Sequence, residues 1–429
     1  MNLASAAGLA ALHHRDFARY LAGSFLATLG LGMQSVALGW QIYNLTGSPF
    51  QLGLVGLAEF LPPFCLALVT GHIADRFDRR LIMTLGLAAE VIAAGVLVTL
   101  SLLDRVSVTS ILSVAFAFGV VRAISTPAQR AMMPNLVPNA DFPSAVAWSS
   151  FSWQVASIGG PALGGLLYVL GPSVVYGATA LALLAATFAI AGISPQPPRI
   201  VEERPSLVSL LAGVSLIFRH KLLLGAISLD LFAVLFSGAV QLLPVYAKDI
   251  LHVGSEGLGV LRSAPGVGAV VTAVLLTQWP LKRHVGRRLF IAVGVFGLAV
   301  IAFGLSRDAV LSYLALMVLG AADNVSVYVR GSLVPLATPD RLRGRVVAVE
   351  AVFIGASNEL GAFVAGSAAA LLGPVLAVLV GGSLTLGVAT LWSAMFSSLR
   401  RVDRMESVRA DISPEIAPAG PRDRLTEQA

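Results

Sequence analysis

The 429-residue sequence is short of charge: Asp, Glu, Lys and Arg make up only 12% of it, about half the share usual in soluble domains. A water-soluble fold of this length would lack the polar surface to cover itself, so a soluble globular protein is excluded. Cysteine is nearly absent as well. Cys65 stands alone, which excludes a disulfide framework and a cysteine-based metal cluster. The six histidines fall in loops or at predicted helix ends, and no H-E-x-x-H, P-loop or Cys/His metal spacing occurs. Nothing therefore supports an enzyme, a bound metal, any other cofactor, or ATP-driven transport through this chain.

What is plentiful is apolar. Hydrophobic residues reach 56% and the mean hydropathy is +0.83. The 42 glycines and 22 prolines lie largely within apolar stretches, as membrane helices tolerate. A net charge of +6 would fit a nucleic-acid partner, but the basic residues come in short clusters between apolar runs. That is the pattern of charges that orient spans in a lipid bilayer. The chain reads as a polytopic, all-α membrane protein without a nucleic-acid partner.

A helix needs about 20 apolar residues to cross the bilayer core. Twelve segments qualify, near 18–43, 51–74, 81–103, 107–130, 144–170, 173–194, 221–247, 257–280, 289–306, 309–330, 345–372 and 374–397. The first is too long for a signal-peptide core and is kept as span 1. Alternating the loops between two sides places 24 basic residues with the termini and three, Arg105, Lys248 and Arg307, opposite. Both termini are expected in the cytoplasm. The chain divides into a first six-helix bundle (1–194), a linker with an interfacial helix (195–220), a second six-helix bundle (221–399) and a polar tail (400–429) expected to be disordered.

The two halves echo each other. Pro134 and Pro138 return as Pro335 and Pro339, which aligns Arg122 with Asp323. Glu59-x-x-Pro62 matches Arg262-x-x-Pro265, and Gly164-Gly165 has a weaker echo in Ala365-Gly366. Six plus six helices in parallel repeat is a transporter plan, with its site between the halves near the midplane.

Two motifs carry a resemblance. Gly71-His-Ile-Ala-Asp75-Arg76-Phe-Asp-Arg79-Arg80 follows span 2 and resembles the major facilitator gate signature G-x-x-x-D-R-x-G-R-R, with Asp78 in place of its second glycine. Asp also accepts turn conformations. By resemblance, Asp75 faces the positive amino end of span 11. A degenerate copy, Lys282-Arg283-His284-Val-Gly286-Arg287-Arg288, follows span 8. In span 5, Gly160-Pro161-Ala-Leu-Gly164-Gly165 is similar to the G-P-x-x-G-G motif of exporters and antiporters in the superfamily. Glycines 160 and 164 leave a flat face, expected to receive span 8 as a seal, and Pro161 bends the helix. His14-Arg-Asp-Phe-Ala-Arg19-Tyr, Trp40-Gln-Ile-Tyr, Gly47-Ser-Pro-Phe-Gln-Leu-Gly53 and Ser209-Leu-Leu-Ala-Gly213 resemble the enterobactin-exporter branch, which also holds macrolide-efflux relatives.

Eight ionisable residues lie inside the expected spans: Glu59, Glu90, Arg122, Asp230, Arg262, Asp323, Glu350 and Glu359. Each costs about 2.5–3.5 kcal/mol at a helix centre, so most are paired or line wet space. Depth sorts them into an inner trio (Arg122, Asp230, Asp323) and an outer trio (Glu59, Arg262, Glu359). Each holds two carboxylates and one arginine, leaving one carboxylate over. Desolvation favours the neutral form of an unpaired carboxylate, which suits proton coupling. Arg122 and Asp323 are expected to pair across the halves, and Glu350 to join the gate near Asp75. Glu90 reads best as a contact between helices. The coupling candidates are Glu359, which has small neighbours and an acidic match in the branch, then Asp230 and Glu59. Arg122, Asp323, Arg262, Gln34, Gln41 and Gln241 are candidates for lining a substrate cavity, with interhelical hydrogen bonding an equal reading for each glutamine.

The resemblance implies twelve transmembrane helices in two pseudo-symmetric six-helix bundles, the major facilitator fold. The function expected is export of a small amphipathic organic molecule, a siderophore or drug-like compound, by a monomer in the bacterial inner membrane. Proton antiport and alternating access would drive it. The alternatives are a proton-coupled importer, a lipid-related carrier of the same fold, and a non-transporting receptor or scaffold. The G-P-x-x-G-G motif disfavours import, and the intramembrane carboxylates disfavour a scaffold.

Overall fold

The structure, a computed structural model, describes residues 10–195, 207–405 and 408, without the side chains of 67–76, 207–212 and 340–341. The side chains of Gly71, Asp75 and Arg76, linker residues 196–206 and most of the expected tail therefore lie outside the described parts. Twelve long helices follow one another: α1 (Arg15–Thr46), α2 (Pro49–Arg76), α3 (Arg79–Leu102), α4 (Val108–Met132), α5 (Phe142–Tyr168), α6 (Pro172–Ala191), α7 (Lys221–Ser237), α8 (Gly254–Gln278), α9 (Val285–Leu305), α10 (Ala309–Leu336), α11 (Asp340–Leu372) and α12 (Pro374–Met395). Among the described residues there is no β-strand.

Their ends follow from local chemistry. Gly47 closes α1 in the left-handed region (φ 60°), and Pro172 and Pro374 open α6 and α12 behind Gly171 and Gly373. Ser107 and Ser110 form a capping box on α4, and Asp308 accepts from the Leu311 amide at 2.8 Å on α10. Asp78, the departure from the gate signature, caps α3 by accepting from the Arg80 amide at 2.9 Å.

Among the described residues, ten helices are long and apolar enough to cross a membrane, or eleven if the bent pair Gly213–Arg219 and Lys221–Ser237 counts as one span. Of the twelve, α7 enters only through that bent pair and α5 not at all; the first half of α5 is rich in serine and carries Gln154. Large apolar side chains face outward, Leu371 at 86% exposure and Phe188 at 70%, as lipid-facing positions do. The span expected over 221–247 is broken. Gly238 adopts φ 61° after Ser237, and the chain resumes as Leu243–Val245 and a π-helical turn, Tyr246–Ile250. A connector helix, Leu207–Arg219, precedes α7 and is bent from it by 101°.

The helices pack as two groups with the same internal pairings. In the first, α1 packs on α5 and α6, α2 on α4, and α3 on α4 and α6; in the second, α7 packs on α11 and α12, α8 on α10, and α9 on α10 and α12. Gly119 of α4 lies against Pro62, and Gly320 of α10 against Pro265. The groups meet along two seams, α2 with α11 and α5 with α8. A Cβ on Gly165 would sit 2.6 Å from the Gly259 Cα, and one on Gly366 2.7 Å from the Gly53 Cα. Backbone thus meets backbone twice, in the same way.

Candidate functional site

The α2–α11 seam brings charges together. Arg122 on α4 donates to Glu359 on α11 at 2.9 Å, and the same guanidinium nitrogen lies 3.8 Å from Glu59 on α2. Arg262 on α8 feels both carboxylates and donates to Ser35 on α1 at 2.9 Å. Half of the Arg122 side chain is exposed although it lies midway along its helix, and Glu59 and Glu359 keep 20% and 25% exposure. The cluster therefore borders open space between the helices. Gly355, one helical turn before Glu359, also has empty space where a Cβ would sit. Arg122 also borders a cavity of about 100 Å³ with Glu90 of α3, Thr28 and Gln129. Glu90, itself buried, is thus a neighbour of the cluster.

A second network sits within the second group of helices. Arg330 on α10 meets Asp230 on α7 at 2.7 Å and lies 3.7 Å from Glu350 on α11. Asp323 lies near both Asp230 and Arg330 and shares with Asp230 a void of about 10 Å³, at the lower bound for one water molecule.

Several expectations change. Arg122 does not pair with Asp323: it joins Glu359 and Glu59, while Asp323 and Asp230 gather at Arg330. The outer trio of Glu59, Arg262 and Glu359 gains Arg122, and the inner trio loses it. Equal depth was not enough, because depth fixes position along a helix and leaves its rotation free. Glu350 faces Arg330, while the side chain of Asp75, its expected neighbour at the gate, lies outside the described residues. Arg330, the last residue of the expected span 309–330 and one of the 24 basic residues counted on the terminal side, is 4% exposed within α10, which continues to Leu336. Its signal in the sequence is its place two turns after Asp323, on the same helical face.

The exporter motif divides its glycines between two neighbours. Gly160 and Gly164 lie against α1, where their Cβ atoms would be 2.7 Å from the Leu29 oxygen and from the Met33 Cα. Gly165, about 100° further round the helix, takes the contact with α8. Pro161 is buried and its carbonyl faces Gly259. Among the gate arginines, Arg79 donates to the Ala131 carbonyl at 3.0 Å and Arg80 to that of Ile193 at 2.7 Å. Gln41 accepts from the Tyr176 hydroxyl at 2.6 Å, which marks it as a packing contact. The side-chain oxygens of Gln34 and Gln241 are buried without a hydrogen-bond partner among the described residues, so each has an acceptor to offer. Among the described residues, no three His, Cys, Asp or Glu side chains are grouped to hold a metal ion.

An all-helical membrane protein with charged side chains facing each other across a seam between two repeated groups is a transporter by class. Residues 6–419 match the family described as transmembrane secretion effector, and the chain belongs to that family of the major facilitator superfamily. It is 26% identical over 391 residues to the enterobactin exporter EntS of Citrobacter koseri, covering 90% of this chain and 93% of that one. Its fold is similar to that of a POT family transporter solved with 5-aminolevulinic acid (TM-score 0.69, 12% identity, 90% of this chain and 96% of that one). A bacterial homologue of the human lysosomal transporter Spinster, inward-facing and unoccupied, is similar too (TM-score 0.64, 15% identity, 93% and 98% covered).

Proposed function

We propose that this chain exports a small amphipathic organic molecule across the inner membrane by proton antiport and alternating access. In this reading it works as a monomer of twelve spans. Two pseudo-symmetric bundles, 1–194 and 221–399, are joined by 195–220, and both termini lie in the cytoplasm with the 400–429 tail. Removing buried Arg330 from the 24 basic residues on the terminal side leaves 23 against three, which still favours that orientation. The resemblance of the chain to enterobactin exporters supports a siderophore as cargo.

The observation that carries the reading is Arg122 bridging Glu359 and Glu59 beside open space between the helices of the two groups. Ionised, Glu359 accepts hydrogen bonds from Arg122 and from a hydroxyl-bearing cargo. A proton on Glu359 removes its charge and turns one of its oxygens into a donor, which weakens both bonds, and Arg122 retains Glu59 as its partner. Proton and cargo thereby alternate on one carboxylate, and each weakens the other's binding by the same factor. Glu59 and Asp230 are the next candidates for the coupling role. Asp230 already has Arg330 within 2.7 Å, so a proton must compete with that partner.

The test uses proteoliposomes with an imposed pH difference and two cargoes, enterobactin and a macrolide. Glu359→Gln is expected to abolish uphill transport while cargo still binds and exchanges down its own gradient. Uphill transport by the Gln variant at the wild-type rate overturns the assignment. Transport of the macrolide alone moves the cargo class from siderophore to drug.

A further inference from the structure

Away from the Arg122 cluster, a cavity of about 670 Å³ opens between the start of α9 and the end of α12. Its rim carries His284, Arg287, Arg400 and Arg401. The fold builds this rim deliberately close. Gly286, in the first turn of α9, touches the Leu399 carbonyl with no room for a Cβ. The Gly286 amide donates to the Val402 carbonyl at 3.0 Å and the Val285 amide to that of Asp403 at 3.3 Å. The His284 amide donates to the Asp403 carboxylate at 2.9 Å, and the His284 ring lies at the same distance from it. Residues 399–403 are thereby fixed across the start of α9, with Arg400 and Arg401 on the same rim as Arg287.

These arginines are unspent. The hydrogen bond donated by the His284 backbone amide holds the Asp403 carboxyl below the usual carboxylate range, with the charges of His284, Arg283 and Arg404 adding to it. Arg287, Arg400 and Arg401 make no ion pair among the described residues. No acidic residue stands in the first turn of α9, where a positive charge opposes the helix dipole. Arg287 therefore does nothing for its own helix. The first amides of α9 are also taken by residues 402 and 403, so an anion here would be held by guanidinium groups.

Below the rim the lining turns apolar. Phe290 and Leu386 form the walls beside Ser393 and Thr390, whose hydroxyl is bonded within its own helix, Ile291 is 56% exposed, and the space beside Gly294 is empty. Guanidinium groups above an apolar groove on membrane-crossing helices complement a ligand with an anionic head and a hydrocarbon body. We propose that this groove binds one anionic phospholipid, its phosphate against Arg287, Arg400 and Arg401 and an acyl chain along Ile291 and Gly294.

The test is native mass spectrometry of the full-length chain titrated in detergent with phosphatidylglycerol or phosphatidylcholine. The wild type should retain one phosphatidylglycerol and discriminate against phosphatidylcholine. Neutralising Arg287, Arg400 and Arg401 together to Gln should weaken phosphatidylglycerol retention roughly a hundredfold. Gly294→Leu, which fills empty space and keeps every charge, should also weaken it. Arg105→Gln, at the other end of the helices, should not. Equal retention by wild type and triple variant overturns the proposal, whatever else fills the groove. So does wild-type retention by Gly294→Leu, which would mean surface attraction without a groove, or equal loss in Arg105→Gln. Displacement of the lipid by millimolar inorganic phosphate would assign the arginines to a free anion instead.

Discussion

Arg330 and Asp230 meet at 2.7 Å with 4% and 8% of their side chains exposed, so neither charge has water as an alternative partner. Removing one member of such a pair strands the other, at about 3–5 kcal/mol. Arg330→Gln should therefore lower the thermal midpoint of the detergent-solubilised protein sharply, while Asp230→Asn combined with Arg330→Gln should recover part of the loss, since Glu350 and Asp323 also lose their arginine. A single variant as stable as the wild type would remove the pair from the list of structural contacts. The sequence made eight of the intramembrane charges visible, because an ionisable residue in an apolar run is conspicuous. Partners were harder to read. Arg122 and Asp323 align through the repeat, yet the repeat relates positions that occupy equivalent places in different groups, and equivalent places need not touch. Arg122 finds Glu359 because the α2–α11 seam carries α11 to it, and seams depend on how each helix is rotated. A double-mutant cycle follows from the geometry: Arg122→Gln and Glu359→Gln should be non-additive in transport, whereas Arg122→Gln and Asp323→Asn should add.

Helices are the scale at which the sequence speaks most clearly. Pro and Gly mark the ends of α1, α6, α11 and α12, and apolar length marks the middle of nearly every helix. The break after Ser237 was missed because Phe236, Leu242 and Leu243 keep that stretch apolar across Gly238. The seams were half visible. The echo of Gly164-Gly165 in Ala365-Gly366 placed small residues at equivalent positions, but nothing local says that Gly165 meets Gly259 while Gly366 meets Gly53. Backbone contact at both seams makes them sensitive to a single added side chain. Gly165→Val must force α5 and α8 apart, since its Cβ alone would reach the Gly259 Cα at 2.6 Å. The two seams join the same two bodies, so the strain should be felt at the other one. Ala362, packed against Gly56 in the α2–α11 seam, is the reporter. As Ala362→Cys in a Cys65→Ser background, it should react with maleimide several-fold faster when Gly165→Val is added. An unchanged labelling rate would mean that the seams open independently.

For the whole molecule, alternating access requires the seam ends to part, against an apolar core in which Val36, Trp40 and Leu52 of the first group share one buried cluster with Leu243, Tyr246 and Leu258 of the second. Beyond the glycine seams, polar links between the two groups include the Arg122–Glu359 pair, Gln154 donating to the Gly266 carbonyl at 3.2 Å and Arg262 donating to Ser35. The Tyr43 hydroxyl also donates to the Asp249 carboxylate. That last link joins the end of α1 to the π-helical turn after α7, and Lys248 lies 5.5 Å from the Tyr43 ring. It is a latch between the rigid end of one group and an irregular turn of the other. Asp249 is exposed, so the bond contributes about 1 kcal/mol, which is roughly a fivefold change in population at ambient temperature. Tyr43→Phe keeps the ring over which Lys248 sits and removes only the hydroxyl. The expected result is a larger fraction of molecules with the seam end open. Spin labels at Leu45→Cys and His252→Cys, again in the Cys65→Ser background, read that fraction as a second, longer distance in pulsed electron resonance. Asp249→Asn retains an acceptor and should shift the population less. If Tyr43→Phe leaves the distance distribution unchanged, the latch contributes nothing to closure, and the two groups are held by the glycine seams, the shared apolar core and the remaining polar links.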